Sequence, residues 1–388
     1  MTETVVRRTA TRERQAVAWL PEEWRECMQQ WGEPAFRAQQ IFQWVHRHGV
    51  LDVEQMTNLS RPLRAKLREH GLVNPLSEES VRRSTDGTRK LLLRLTDGLA
   101  IECVLIPREN LERDALEEEE DDDELEALAA EDRGEKPVTL CISTQVGCAM
   151  GCVFCASGQA GLKRGLGAHE VVSQFILARR HLDEGERIKN IVFMGMGEPL
   201  HHYAETAQSI RLLTHPEGIG LSPRRITVST VGLINGIQKL GQDFAGKIGL
   251  AISLHAPDGP TRSRIVPMNE SQPLADLIEA LRRYPLPKRR RITIEYTLIH
   301  GVNDGVEHAR RLVQTLRGLP VKVNLIPMNP IAASSLRAPQ PEAVEAFRRE
   351  LGLLRVSCSV RQTRGDDVDA ACGQLALGSP LRVQGSTG

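Results

Sequence analysis

VTLCISTQVGCAMGCVFCASG, residues 138–158, runs from a predicted strand directly into three closely spaced cysteines. Cys148, Cys152 and Cys155 have the spacing C-x3-C-x2-C. Thiolates suit both zinc and iron-sulfur clusters, but a structural zinc ion takes four ligands. No fourth Cys or His follows within the next dozen residues. The spacing therefore favours a four-iron cluster that three thiolates hold and that keeps one iron open, with a zinc site as the lesser alternative.

The strand before the cysteines is the first of a repeating series. From residue 138 to about residue 356, predicted strands alternate with predicted helices. The strands are VTLCIST, NIVFMG, RITVST, KIGLAISLHA, RITIEYTLI and VKVNLIPM. Six units of strand followed by helix imply a parallel sheet with right-handed crossovers. We therefore predict an α/β fold in which residues 138–356 form a partial (β/α)6 barrel of the TIM type.

Smaller parts flank the predicted barrel. Residues 15–80 predict a helical accessory domain, with Ser60 as an N-cap, Pro62 in the first turn and Gly71 as a stop. Residues 81–137 predict a β-hairpin extension, because Asp-Gly pairs at 86–87 and 97–98 separate apolar runs. An acidic insertion at residues 108–137 follows, read as a solvated loop. Residues 357–388 form a C-terminal segment that carries Cys372.

Composition limits the class of protein and the cellular compartment that we expect for the chain. Its 388 residues are 40% hydrophobic, enough for a large core. No apolar run approaches the roughly 20 residues that span a bilayer, and the N-terminus lacks the apolar stretch of a secretory signal. Eight cysteines indicate metal or redox chemistry rather than a disulfide scaffold. We expect a cytoplasmic protein that does not enter a membrane.

Charge is distributed unevenly along the chain. Residues 112–135 contain 14 acidic and 2 basic residues, a net charge of −12. Because the whole chain is formally neutral, the remainder carries +12. The basic residues include Arg82, Arg83, Arg89, Lys90, Lys163, Arg164, Arg224, Arg225 and the run at 288–291. A basic body suits a phosphate-rich ligand such as a nucleic acid, although such charges can also be solvated faces.

The cysteine spacing resembles that of the radical S-adenosylmethionine superfamily, including the aromatic Phe154 just before the last cysteine. The resemblance implies a [4Fe-4S] cluster held by Cys148, Cys152 and Cys155. It also implies that the open iron binds the amino and carboxylate groups of S-adenosylmethionine. An electron from the cluster then cleaves the sulfonium to a 5′-deoxyadenosyl radical.

Further motifs lie at the carboxyl ends of the predicted strands, where barrel enzymes gather their chemistry. They place Gly197 and Glu198 after strand two, Ser229 at the end of strand three, Ser253, Leu254 and His255 at the end of strand four, and Asn329 after strand six. A glycine turn and a carboxylate suit a cationic ammonium, and the polar side chains suit a ribose, carboxylate or adenine. Alone, His255 would more often be a satisfied core histidine than a ligand.

The chain as a whole resembles one family, the radical adenosine methyltransferases of the RlmN type. The match covers EQMTNLS (54–60), IECVLIP (101–107), STQVGCAMGCVFCASG (143–158), MGMGEPL (194–200), VSTVG, SLHAP, VNLIPMNP (323–330) and the segment around Cys372. The acidic insertion departs from the family pattern. The resemblance implies methylation of carbon 2 of adenosine in 23S rRNA, at the peptidyl transferase centre, and in tRNA, 3′ of the anticodon.

The same resemblance implies roles for three residues outside the cluster. Cys372 receives a methyl group and becomes S-methylcysteine, which suits a thiolate nucleophile. After a covalent RNA adduct has formed, Cys141 releases it and leaves a Cys141–Cys372 disulfide. Glu102 matches the position of the proton acceptor, although Cys141 could take that step. The alternative for Cys141 is a buried strand cysteine that only packs.

The expected partners follow from this chemistry. The substrates are 23S rRNA and tRNA, with the target base unstacked when it reacts. An electron donor such as flavodoxin supplies the reductant, and we expect a monomer.

Three alternatives remain open at this point. The sister type, Cfr, methylates carbon 8 of the same ribosomal adenosine, and cysteine spacing cannot separate the two. A non-catalytic RNA-binding protein with a structural cluster is the second. A radical enzyme that acts on a small molecule or peptide is the third, and the charge asymmetry and Cys372 disfavour it.

Overall fold

Helix-capping signals shape the N-terminal part of the chain. The computed structural model describes residues 15–107, 135–331 and 334–375. In the first of these ranges the helices are α1 (Pro21–Gln30), α2 (Phe36–Phe42) and α3 (Arg61–Glu69). The N–H of Leu63 donates to the hydroxyl of Ser60 at 3.3 Å, as expected for an N-cap. Leu63 and Leu67, four residues apart on α3, are both fully buried.

The strands that follow build one large sheet and one small one. They are β1 (Leu76–Arg83), β2 (Arg89–Leu95), β3 (Ala100–Pro107), β4 (Lys136–Cys141), β5 (Gln145–Val146), β6 (Arg164–Gly165), β7 (Glu186–Phe193), β8 (Ile226–Thr230), β9 (Gly249–Ser253), β10 (Ile292–Leu298), β11 (Val321–Pro327) and β12 (Cys358–Val360). The ten-stranded sheet has the order β1-β2-β3-β4-β7-β8-β9-β10-β11-β12, and β5 pairs with β6.

Strand direction divides the large sheet into two parts. From β4 to β12 neighbouring strands are parallel, whereas β1 to β4 pair antiparallel. The parallel part confirms the predicted α/β fold of barrel type. Its crossovers contain α4 (Ala156–Ala160), α5 (Ala168–Ala178), α6 (Tyr203–Thr214), α7 (Ile234–Phe244), α8 (Gly259–Ile265), α9 (Leu274–Arg282), α10 (Val306–Thr315) and α11 (Pro341–Leu353).

Two features of the sheet go beyond the predicted pattern. The short strand β12 adds a seventh parallel strand next to β11. The predicted hairpins at 86–87 and 97–98 are present, but β3 pairs with β4, so they extend the same sheet. The insertion at 108–137 therefore connects two neighbouring strands, and all of it except residues 135–137 lies outside the described residues. Pairing partners in a sheet are long-range contacts that local patterns do not encode.

The parallel strands are buried on both faces. In β10, for example, Ile294, Tyr296 and Leu298 are fully buried, and Glu295 between them is only 4% exposed. Helices cover this sheet, as parallel sheets require. The carboxyl ends of the parallel strands are therefore the edge at which loops can gather polar side chains.

Candidate active site

The cysteine loop lies between β5 and α4 and is closely packed. Cys148 and Cys152 are 8% and 7% exposed. Gly147 has a φ of 75°, and a Cβ there would lie 1.8 Å from the carbonyl oxygen of Gly161, so the loop needs glycine at this position. The carbonyl of Cys152 accepts the N–H of Cys155 at 3.2 Å. These contacts hold the three cysteines of the loop in one compact turn.

Burial governs the acidity of the thiols in the loop. Burial raises the pKa of Cys148 to about 12 and that of Cys152 further, and the neighbouring thiols add to both shifts. Metal-bound thiols must be deprotonated, so bound iron would have to displace these protons. Among the described residues, no three His, Cys, Asp or Glu side chains converge on one ion-sized centre. Three soft thiolates suit an iron-sulfur cluster with one open iron better than a structural zinc site, which takes four ligands.

An aromatic pair borders the cysteine loop. The ring of Phe154 meets the ring of His255 edge-on, with 4.7 Å between centroids. His255 accepts the N–H of Thr297 at its Nδ1, 3.0 Å away, which leaves Nε2 as the protonated nitrogen. Burial lowers the pKa of His255 to about 3, and the charge of Arg262 acts in the same direction. The imidazole is therefore neutral and offers one N–H donor next to the cysteine loop.

The glycine-rich turn after β7 holds a buried carboxylate. Glu198 accepts the N–H of Leu200 at 3.0 Å and the N–H of Val231 at 2.9 Å. Burial raises its pKa to about 7, even though these donors favour the anion. The backbone N–H of Glu198 donates to Gln145 at 3.0 Å. Glu198 thus ties the β7 loop to the β8 loop.

The other predicted ligand positions lie at neighbouring strand ends. The hydroxyls of Ser229 on β8 and Ser253 on β9 are 3.3 Å apart. Leu254 follows β9 and is fully buried, and its carbonyl faces the guanidinium of Arg262. Gly197 has a φ of 107°, and a Cβ there would lie 2.6 Å from the side chain of Gln145. A larger residue at Gly197 would therefore disturb the loop.

A cavity of about 70 Å³ brings together cysteines that are far apart in sequence. Cys141 at the end of β4, Cys155 of the cysteine loop and Cys372 of the C-terminal segment all line it. Burial and the charge of Cys372 raise the pKa of Cys141 to about 12, whereas Arg361 acts in the opposite direction. Arg361 also lines the cavity. Two potential thiol nucleophiles and a cysteine of the loop therefore share one space.

Two contacts from other elements hold the segment around Cys372. The amide of Asn329 donates to the carbonyl of Cys372 at 3.0 Å, and the hydroxyl of Thr363 donates to the Asn329 oxygen at 3.2 Å. The N–H of Ala156, at the start of α4, donates to the carbonyl of Gly373 at 2.8 Å. Asn329 therefore contacts the segment of Cys372 in this structure.

Glu102 reaches the same segment indirectly. It is 6% exposed and forms an ion pair of 3.1 Å with Lys90, which also donates to the carbonyl of Asp369 at 3.0 Å. Glu102 is not among the residues that line the cavity. The chain thus links Glu102 to the Cys372 segment through the ammonium group of Lys90.

Sequence reasoning missed several residues of this site. Arg262 and Arg361 are single arginines without a recognisable motif, and the sequence marks Lys90 only as one of many basic residues. Ser143 joins β3 to the loop after β7, because its hydroxyl donates to the carbonyl of Glu102 at 2.6 Å and accepts the N–H of Met196 at 2.8 Å. A buried charge has no local sequence signal, since only the fold makes it buried.

The remaining three cysteines stay outside the site. Cys27 lies on α1, and Cys103 is fully buried on β3. Cys358 on β12 lines a separate groove with Val344 and Arg348 of α11. None of the three lines the cavity that Cys141, Cys155 and Cys372 share.

A parallel α/β sheet with a three-cysteine loop at the carboxyl ends of its strands defines the class of radical S-adenosylmethionine enzymes. Two family models match the chain accordingly: the radical SAM superfamily over residues 142–313, and the ribosomal RNA large subunit methyltransferase N-terminal domain over residues 21–73. A dual-specificity RNA methyltransferase RlmN from Sorangium cellulosum is 58% identical over 381 residues, 96% of this chain and 98% of that protein. The chain belongs to the RlmN family of RNA methyltransferases.

Other comparisons agree with this membership. A probable dual-specificity RNA methyltransferase RlmN from Heliobacterium modesticaldum is 42% identical, covering 92% of this chain and 88% of that protein. The crystal structure of a radical SAM methyltransferase from Sphaerobacter thermophilus matches with a TM-score of 0.83 and 40% identity, over 93% of this chain and 99% of that one. The cofactors are therefore a [4Fe-4S] cluster and S-adenosylmethionine. In the described part of the chain, no helix combines the length and apolar character needed to cross a bilayer.

Proposed function

We propose that this enzyme methylates carbon 2 of adenosine in 23S rRNA, at the peptidyl transferase centre, and in tRNA, 3′ of the anticodon. The observation that carries the proposal is the cavity that Cys141, Cys155 and Cys372 line together. The curated relatives are named dual-specificity RNA methyltransferases, which supports two kinds of RNA substrate.

The chemistry of the target explains why a cysteine carrier is needed. Carbon 2 of adenine is electrophilic, so it cannot displace a methyl group from a sulfonium directly. A thiolate can, and we assign this step to Cys372, which becomes S-methylcysteine. Bound cluster and S-adenosylmethionine supply the methyl group and a radical that removes one hydrogen atom from it. Cys372 then presents its methylene carbon to carbon 2 and joins the RNA covalently.

Release of the product is assigned to Cys141. The radical adduct would lose the proton of carbon 2 and one electron, which a bound cluster in its oxidised state could accept. The Cys141 thiolate then attacks the sulfur of Cys372. A sulfur–sulfur bond forms, and the carbon–sulfur bond breaks with its electron pair on carbon. The proton lost from carbon 2 balances the proton that completes the methyl group. A thiol reductant must then open the Cys141–Cys372 disulfide before the next turnover.

Glu102 is proposed as the acceptor of the proton from carbon 2. Its carboxylate lies outside the cavity and pairs with Lys90. Proton transfer requires that the donor and the acceptor lie within hydrogen-bond distance. Distances that are long before the cofactors and RNA bind can shorten in the complex. Cys141, which does line the cavity, is the second candidate for this step.

Binding of S-adenosylmethionine is assigned to the strand-end residues. The predicted set comprises Gly197, Glu198, Ser229, Ser253, Leu254, His255 and Asn329. Glu198 has a pKa of about 7, and an ammonium beside it would favour its charged form. The neutral His255 offers its Nε2–H to an acceptor.

The proposal also covers RNA binding, the oligomeric state, the location of the enzyme and its electron donor. The +12 outside residues 112–135 would hold RNA phosphates in a salt-sensitive manner. The target adenosine would enter the cavity unstacked. We further propose a monomeric, cytoplasmic enzyme that receives its electrons from a donor such as flavodoxin.

The test is anaerobic reconstitution with iron and sulfide, followed by incubation of rRNA and tRNA with S-adenosylmethionine and reductant. Nucleosides from the digested RNA are identified by mass spectrometry. We expect 2-methyladenosine from both RNAs and none from the Cys372→Ala variant, which should still bind RNA. Production of 8-methyladenosine would assign the chain to Cfr-type chemistry, and RNA binding without any methylation would support a non-catalytic role.

A further inference from the structure

Arg262 on α8 is a buried arginine that the steps above do not use. Its side chain is fully buried. Within the described residues, the acceptors of its guanidinium are all neutral: the carbonyls of Val231, Leu254 (3.2 Å) and Ser253 (3.4 Å), and the amide oxygen of Asn269 (3.1 Å). No carboxylate among those residues pairs with it.

A buried charge without an anionic partner is costly. Hydrogen bonds to carbonyls satisfy the N–H groups of Arg262, but they do not neutralise its charge. Burial lowers the pKa of Arg262 to about 10, so the guanidinium stays protonated at neutral pH. The fold therefore keeps a positive charge in a place where an anion would stabilise it.

The helix that carries Arg262 packs directly on the cysteine loop. The N–H of Val153 donates to the carbonyl of Ile265 at 3.1 Å. Ile265 belongs to one apolar cluster with Cys148 and Cys152. The helix of Arg262 therefore lies against the loop whose sulfur atoms would hold the cluster.

We propose that Arg262 is the counter-ion of the iron-sulfur cluster and stabilises its reduced state. Three thiolates make the cluster net anionic, and reduction adds one more negative charge. Net charge and surrounding polar groups are among the factors that set cluster potentials. A fixed positive charge in the dry interior therefore favours the reduced form, which is the form that must deliver an electron. Arg262 acts through the cluster and is a positioning residue.

A purely structural role makes a different prediction. Arg262 ties the loop after β8 to the end of β9, and loss of these hydrogen bonds would disturb the loops whatever the charge of the replacement. The two roles separate when one substitution keeps the charge and another removes it. Arg262→Lys keeps a positive charge without the guanidinium fork, and Arg262→Gln keeps polar hydrogen bonding without the charge.

The matched control lies on the same helix. Arg264 is two residues further along α8 and is exposed to solvent. Its charge is screened by water, so the Arg264→Gln variant should leave the cluster unaffected. This control distinguishes the effect of removing the buried charge of Arg262 from the effect of removing any one positive charge on α8.

The experiment measures the midpoint potential of the cluster in the full-length, anaerobically reconstituted protein, with the EPR signal of the reduced cluster as the readout. For Arg262→Gln we expect at least a tenfold fall in the equilibrium constant for one-electron reduction, a shift of about 59 mV. In Arg262→Lys this equilibrium constant should stay within about threefold of the wild-type value, because the positive charge still interacts with the cluster. Arg264→Gln should match the wild type.

Two results would overturn the proposal. The first is a wild-type potential in Arg262→Gln with the cluster fully loaded. The second is an equal shift in the Lys and Gln variants, which would assign the effect to the lost hydrogen bonds. Should Arg262→Gln fail to retain its cluster, Arg262→Lys decides alone. A near-wild-type midpoint potential in Arg262→Lys then supports the role of the charge. A tenfold fall in the equilibrium constant for reduction in Arg262→Lys refutes it.

Discussion

Cys141 is a buried thiol, and a buried thiol is a poor nucleophile until its proton is removed. Burial and the charge of Cys372 raise its pKa to about 12, and the guanidinium of Arg361 opposes this shift. The proposed release step therefore depends on a thiolate that the site itself must generate. Its neighbour Cys103 on β3 is also buried but lines no part of the cavity, so the two cysteines form a matched pair for mutation.

Replacing Cys141 with alanine should stop the reaction after the RNA has been joined to Cys372. We expect a covalent protein–RNA adduct that accumulates with time and appears as a shifted band on a denaturing gel. The matched Cys103→Ala variant should turn over normally, with a stability loss of about 1 kcal/mol for the lost buried atom. Normal turnover by Cys141→Ala would remove Cys141 from the release step.

The charge of Arg361 should control how fast Cys141 reacts. Because the pKa of Cys141 is about 12, its thiolate fraction should rise tenfold for each pH unit between about pH 7 and 9. Oxidant-driven formation of the Cys141–Cys372 disulfide, followed by mass spectrometry, should show this slope. Arg361→Met should slow the reaction about three- to tenfold at fixed pH. The exposed Arg349→Met variant is the control, and equal rates in both variants would contradict the role of Arg361.

At the scale of elements, residues 363–375 have little regular structure of their own. Apart from one short helical turn at residues 366–368, they are held by other elements. The loop after β11 contributes Asn329, the start of α4 contributes Ala156, and β2 contributes Lys90. The position of Cys372 is therefore a property of the sheet and the cysteine loop rather than of its own segment.

Loss of the Asn329 amide should loosen this segment. Asn329→Asp replaces the donor to the Cys372 carbonyl with an acceptor, so a favourable contact of about 1 kcal/mol becomes a repulsive one. We expect faster hydrogen exchange and faster proteolysis within residues 366–375 before any cofactor is added. Thr363→Val removes only the hydroxyl that donates to Asn329 and should have a smaller effect. Unchanged protection in Asn329→Asp would show that other contacts hold Cys372.

At the scale of the whole molecule, opposite charges are segregated along the chain. Glu135, the last residue of the acidic stretch, forms ion pairs with Arg187 at 3.1 Å and with Lys189. Residues 112–134 contain 13 further acidic residues and 2 basic ones. A net charge of −11 on one segment must reduce the attraction of the basic remainder for RNA at low salt.

An uncharged segment of equal length in place of residues 112–134 should strengthen RNA binding. We expect at least a tenfold tighter dissociation constant at low salt, and convergence with the wild type as salt screens the charges. A shuffled segment of the same composition is the control and should bind like the wild type. Equal affinities at low salt would show that the acidic segment does not oppose RNA binding. Filter binding across a salt series measures all three proteins.

Local patterns in the sequence determined the class of this protein. The cysteine spacing and the alternation of strands and helices each extend over a few residues to a few dozen, so they can be read without the fold. They predicted the parallel sheet, the cluster loop and the strand-end positions. The resemblance to the RlmN family then implied the roles of Cys141, Cys372 and Glu102, which remain predictions to be tested by mutation.

Only the tertiary structure brought Cys141, Cys155 and Cys372 to one cavity and attached the hairpins and β12 to the same sheet. It alone also showed that Arg262 is buried beside the cysteine loop and that Asn329 contacts the Cys372 segment. The physical reason is that burial and charge proximity depend on contacts between residues far apart in sequence. Strand order and crossovers create those contacts, and no local pattern records them.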